Sequence, residues 1–219
     1  MARETHVLDP TRLDALATAF SVLGRFHREP PDAATLASFW ELLDEWPLPD
    51  TPAAQEGLAA LRAARDTGED AETVRADHAA LYGTLAVARV APYESVHRGE
   101  EGLVFAEHTL QVRDAYRTLS LEAPRLNREP DDHIGLELEF VARSCLRALG
   151  ALDQGSPRDA ERYVRLGADF LRDHLLRWAP AMLDRVTQEA RTRFMPGLAR
   201  LTTGAIEEYA RFTGVPTEA

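Results

Sequence analysis

The chain has 219 residues, 45% of them hydrophobic, which is enough to bury a sizeable core as one large domain or two closely packed halves. A formal charge of -11 opposes non-specific attachment to nucleic acid or anionic lipid, since both need a cationic surface, so any charged partner is expected to be basic. All 25 basic residues are arginine, and without lysine no Schiff base to pyridoxal phosphate, no GxxxxGK[ST] phosphate loop and no Ser-Lys nucleophile pair can be built.

Helical punctuation runs the length of the chain. Asp9-Pro10 offers an N-cap followed by proline at the first helical position, and Leu13, Leu16, Ala17, Phe20 and Leu23 then recur at helical spacing up to Pro30-Pro31. Within this helix lies the longest charge-free stretch near the start, Ala15 to Gly24. It is too short to span a bilayer and no cleavage-site pattern follows it, so a soluble, unexported chain is expected. Asp32 caps a second helix with Leu36, Phe39, Trp40 and Leu43, stopped by the proline-rich segment Pro47 to Pro52; a third runs from Pro52 to about Arg65. From Ala71, Val74, Leu81, Tyr82 and Leu85 share one side of a fourth. Val90 to Gly102 has proline, glycine and no sustained period, which predicts an exposed loop. Further helices are predicted over about 103–121, 131–152, 157–178, 181–194 and 198–212, with Pro196-Gly197 separating the last two. The single Cys145 excludes an internal disulfide, fits a reducing compartment, and reads as a small core residue.

One stretch is chemically dense: "EPDDHIGLELEF", Glu129 to Phe140. Ile134, Leu136, Leu138 and Phe140 alternate as in a half-buried strand, but Ile134, Leu138, Val141, Cys145, Leu149 and Leu152 keep a helical period, so this is expected to be the central helix of an all-α bundle. Three readings fit the polar residues before it. His133 and Glu137, four apart, with nearby carboxylates form a candidate metal-ligand set, although neither HExxH nor paired Glu-x-x-His helices are present. The same residues could serve acid/base chemistry, with no GxSxG or Cys-His arrangement to support it. Or Pro130 opens the helix and Asp131 and Asp132 cap it, with His133 bonded to a neighbour or to a ligand.

The compact Glu129-Pro130-Asp131-Asp132-His133 run resembles the E-x-P-x-D-H signature of the TorD/DmsD/NarJ chaperones, maturation factors of molybdenum-cofactor oxidoreductases. "RADHAALYG", Arg75 to Gly83, and "APYESVHRGEEG", Ala91 to Gly102, are similar to that family's helix ending in a Leu-aromatic pair and to its Pro-aromatic-Glu-Ser loop. "FLRDHLLRWAP" and "FMPGLARLT" resemble its two C-terminal helices. His78 and Tyr82 depart from the usual residues at their places. The resemblance implies one all-helical domain over 1–219, of about nine to ten helices with a sub-boundary near 122–130. It further implies a cytoplasmic protein without catalytic residues, metal or cofactor, either a monomer or a helix-exchanged homodimer. Its partner would be the N-terminal leader, often twin-arginine, of an apo catalytic subunit, held until molybdenum cofactor is inserted. Tyr82, Pro92, Tyr93, Glu94, Ser95, Glu129, Pro130, Asp132 and His133 become the expected leader-binding residues. In mechanism, Glu94, Glu100, Glu101 and Glu129 to His133 would face the arginines beside an apolar wall of Tyr82, Tyr93 and Val96. The competing reading is a small helical metal-dependent enzyme using His133 and its neighbouring carboxylates.

Overall fold

The first four helices of this protein start at side chains that answer the orphan N–H groups of the first turn. In the computed structural model, which describes residues 8–83, 88–99, 107–122 and 130–217, Asp9 accepts from the Thr11 N–H at 2.9 Å and opens α1 (Pro10–Arg28). Asp32, Thr51 and Asp70 do the same for α2 (Ala33–Leu42), α3 (Pro52–Asp66) and α4 (Ala71–Tyr82), at 2.8, 3.0 and 2.8 Å. There follow α5 (Glu94–Arg98), α6 (Glu107–Thr118), α7 (Ile134–Asp153), α8 (Pro157–Phe170), α9 (Leu176–Glu189) and α10 (Phe194–Thr213). A π turn, Leu171–Leu175, carries α8 straight into α9, so the described residues hold nine or ten helices according to how that turn is counted. They contain no strand, and the fold is all-α.

The core is a layer in which α7 lies between α1 and α8, while α10 lies between α3 and α9. Glycines permit the closest crossing. Gly24 of α1 faces Gly135 of α7, where a Cβ on Gly24 would come within 2.8 Å of the Gly135 carbonyl oxygen. The helical period of Ile134, Leu138, Val141 and Cys145 prevails over the local alternation, and all four are buried against this layer.

Four boundaries differ from the expectation. The central helix begins at Ile134, not Asp131, because His133 is its N-cap: the ring Nδ1 accepts from the Gly135 N–H at 3.0 Å. α10 begins at Phe194, since Pro196 falls in the first turn, where its missing N–H leaves nothing unpaired. Pro180 does not divide α9 from what precedes it but lies inside the helix, just beyond the π turn. The segment expected as an exposed loop contains α5, with Glu94 and Ser95 buried. The proposed sub-boundary is spanned by residues 123–129, outside the described ones.

Candidate functional site

Two loops meet at the start of α7. The chain entering α5 runs antiparallel to the chain entering α7, and Tyr93 and His133 form an isolated β-bridge. The Ile134 N–H donates to the Pro92 carbonyl at 2.8 Å and the Glu94 N–H to the Asp132 carbonyl at 3.0 Å. The Tyr93 ring meets the His133 ring edge-on, with centroids 5.3 Å apart. Pro92 and Pro130, both buried, favour the extended backbone that such a junction needs and present no N–H to leave unpaired.

Asp132 caps a helix other than its own. Its carboxylate accepts from the Ser95 N–H at 2.7 Å, answering an orphan donor in the first turn of α5, and from the Thr109 hydroxyl of α6 at 3.1 Å. One side chain thereby ties α5 and α6 to the loop that starts α7. Asp131, also predicted as a cap, instead pairs with Arg113, while its carbonyl accepts from the Tyr116 hydroxyl at 3.0 Å.

Beneath the loops four carboxyl groups, Glu94, Asp131, Asp132 and Glu137, are wholly buried. Glu94 pairs with Arg98 and lies 2.8 Å from His174 Nδ1, which the π turn delivers to it and which stacks on Phe170. Glu137 accepts from the Trp178 indole N–H at 3.0 Å, and its other oxygen has no donor among the described residues. Burial pushes the Glu137 carboxyl well above the usual range, and the negative charges of Glu94 and Asp132 push the same way. Both influences favour its neutral, protonated form.

A second buried network joins α1, α4 and α10. His27 Nδ1 lies 2.9 Å from the Tyr82 hydroxyl and Nε2 lies 2.9 Å from the Thr202 hydroxyl; His78 Nε2 lies 3.1 Å from the His27 carbonyl. Burial first, then His133 and His78, hold His27 well below its ordinary value, so the ring is neutral.

The structure thus brings Pro92, Tyr93, Glu94, Ser95, Pro130, Asp132 and His133 together. It sets Tyr82 in the adjoining His27 network, buried. Glu94 and Asp132 point inward, both 0% exposed and engaged, whereas Tyr93, Val96, His97 and His133 are half-buried. Glu129, Glu100 and Glu101 lie outside the described residues. His133 and Glu137 are committed to Gly135 and Trp178, and among the described residues no group of three or more His, Cys, Asp or Glu is arranged to hold a metal ion. Among the same residues no helix is long and apolar enough to cross a membrane. Thr109, Arg113, His174 and Trp178 complete the junction without having been anticipated. His174 and Trp178 stand four apart, a spacing that puts both on one helix face, and this was the one available signal.

This architecture defines an all-α protein whose distinguishing feature is a loop-to-loop junction braced by buried carboxyl groups. The family model of the nitrate reductase delta subunit matches residues 48–184. The chain belongs to that family, the TorD/DmsD/NarJ chaperone group whose motifs it carries. It is 29% identical over 119 residues to the chaperone protein TorD of Vibrio cholerae serotype O1, covering 53% of this chain and 51% of that one. With the selenate reductase assembly chaperone protein of Thauera selenatis it shares 32% identity over 136 residues, 59% of this chain and 67% of the relative. With the probable Tat proofreading chaperone DmsD of Haemophilus influenzae it shares 28% over 118 residues, 54% and 51% of the two. The similarity spans about half the length of the first of these relatives.

Proposed function

We propose that this protein is a cytoplasmic maturation chaperone for a molybdenum-cofactor oxidoreductase. It binds the N-terminal, twin-arginine type leader of the apo catalytic subunit and holds that subunit for cofactor insertion and assembly before export. It performs no catalysis. The observation that carries this reading is the junction itself: the two family motifs, far apart in sequence, are clasped together by the Tyr93–His133 bridge. Relatives named as assembly chaperones for selenate and chlorate reductases support the class of partner.

The division of labour follows from burial. Tyr93, Val96 and His133 offer a rigid, partly apolar contact, and aromatic side chains supply contact area at low entropic cost. Glu94, Ser95 and Asp132 act as positioning residues that hold the two loops in register from below. The net charge of -11 adds a long-range field that draws in an arginine-bearing leader. A fluorescently labelled leader peptide, with paired arginines before an apolar stretch, is titrated against wild type, Tyr93→Ala and His133→Ala. Each variant is expected to fold, as judged by circular dichroism, and to bind about tenfold more weakly, as loss of one interface anchor implies. Equal affinities for all three proteins would remove the junction from the binding site, and a pull-down that recovers no oxidoreductase subunit would remove the function.

A further inference from the structure

His27 of α1 is wholly buried and uses both ring nitrogens: Nδ1 lies 2.9 Å from the Tyr82 hydroxyl of α4, and Nε2 lies 2.9 Å from the Thr202 hydroxyl of α10. A further bond fixes the direction of both. The Thr202 hydroxyl donates its single proton to the Leu198 carbonyl, 2.8 Å away, so toward His27 it can only accept, and Nε2 carries the ring proton. A neutral imidazole has one N–H, which leaves Nδ1 as the acceptor of the Tyr82 hydroxyl. The bonds therefore run one way, from Tyr82 through His27 and Thr202 to the backbone of α10.

We propose that His27 is the pin of an acid-sensitive lock, which fastens the end of α4 to α1 and α10 while the ring is neutral and releases it when Nδ1 takes up a second proton. With a proton on Nδ1 the Tyr82 hydroxyl can no longer donate to the ring, and His27 is that hydroxyl's only partner among the described residues. A buried hydroxyl left without an acceptor, beside a buried cation, opposes the closed arrangement. The titratable groups that face the ring are Tyr82 and His78 from α4 and His133 at the head of α7, while α10 offers the neutral Thr202. None of these supplies a negative charge to hold an imidazolium. Asp77 of α4, the carboxylate that acts on Tyr82 and His78, is engaged by the Arg191 and Thr192 N–H groups and the Thr192 hydroxyl. Arg28, next along α1, pairs with Glu139. The release reaches further along the chain. Tyr82 is the last residue of α4, and the carbonyl of its neighbour Leu81 accepts from the Val90 N–H at 3.0 Å, two residues before Pro92 of the junction. Freeing the end of α4 thus loosens the approach to the Tyr93–His133 bridge. Weaker leader binding in acid rests on the proposed function; the lock itself does not.

The test uses the full chain labelled with nitrogen-15. At about pH 7.5, long-range proton–nitrogen correlation of the histidine side chains is expected to show His27 protonated on Nε2 and bare on Nδ1. Burial and the two neighbouring histidines lower the folded pKa, so the lock is complete above the free value of about 6.5 and weakens as pH falls toward the folded one. Over that window the exchange protection of the Gly83 and Val90 amides, corrected for intrinsic rate, is expected to fall by up to about tenfold per pH unit. His27→Gln keeps an acceptor for Tyr82 and a donor for Thr202 without a titrating ring, and should flatten that dependence. Tyr82→Phe removes the donor to Nδ1 and should raise the His27 pKa. An Nδ1–H tautomer, wild-type protection that ignores pH, or an unchanged slope in His27→Gln overturns the proposal, and the first two need no variant. Leader affinity that stays constant over the same pH range would cut the link to the junction and leave the lock standing.

Discussion

Burial, with Glu94 and Asp132 beside it, disfavours the anion of Glu137, and this fixes the sign of a pH effect. Its folded pKa is raised, so between the unfolded value near 4.3 and the folded one the native state holds more protons than the unfolded chain. Stability contributed by this group is present at low pH and lost as pH rises through that window. Glu137→Gln keeps an acceptor for Trp178 and removes the titration. Measured by urea unfolding, its stability relative to wild type should improve as pH rises above about 4.3 and level off once the folded pKa is passed; a difference that stays constant with pH would mean that the Glu137 pKa is not raised. His27 acts in the opposite direction. Its folded pKa is lowered, so the neutral ring stabilises above the unfolded value near 6.5 and that contribution is lost as pH falls below it. Asp132→Ala leaves the Ser95 N–H and the Thr109 hydroxyl without their acceptor and should cost about 1–3 kcal/mol, with Asp132→Asn restoring much of it. The motif's density in carboxylates was legible in the sequence. That they face inward was not, because inward or outward depends on Thr109, Arg113 and His174, which come from other helices.

At the α1–α7 crossing a single methyl group would disturb the packing directly. A Cβ at Gly135 would run into the Gly24 carbonyl and the Arg28 side chain, whereas a Cβ at Gly150, in the same helix, meets nothing within 4 Å. Gly135→Ala is therefore expected to destabilise by about 1–3 kcal/mol through overpacking. Gly150→Ala should stabilise by up to about 1 kcal/mol through helix propensity. Denaturant midpoints of the two variants check the pair, and similar shifts of the same sign would mean that the crossing is not tight. Caps such as Asp9, Asp32, Thr51 and Asp70 were readable because they act within a few residues of themselves. The π turn at Leu171–Leu175 was not, since its stabilising partner, Glu94 on His174, is remote in sequence. For the same reason α5 was hidden: its first turn is answered by Asp132, not by a local side chain.

The whole molecule's charge of -11 predicts how leader binding responds to salt. As the screening length falls from about 10 Å at 0.1 M to about 3 Å at 1 M, association should slow before dissociation changes much, and apolar contact should preserve part of the affinity. A leader with both arginines replaced by glutamine should bind more weakly and show a flatter salt slope; equal affinities at low salt would show that the field does not read the arginines. The Tyr93–His133 bridge has a further consequence, for topology. α5 and α6 fall between the two halves of the bridge in the chain, so Tyr93 and His133 fasten at one point the two ends of a stretch whose α6 packs on α7 and α8 through Tyr116. Opening of that fastening need not carry the free energy of global unfolding. In native-state hydrogen exchange, the amides of Glu94, Ser95 and Ile134, all bonded at the fastening point, should exchange together and earlier than those of Leu138 and Val141 in the interior of α7. The fastening would then be a latch, and a bound polypeptide that touches both Tyr93 and His133 would hold it shut.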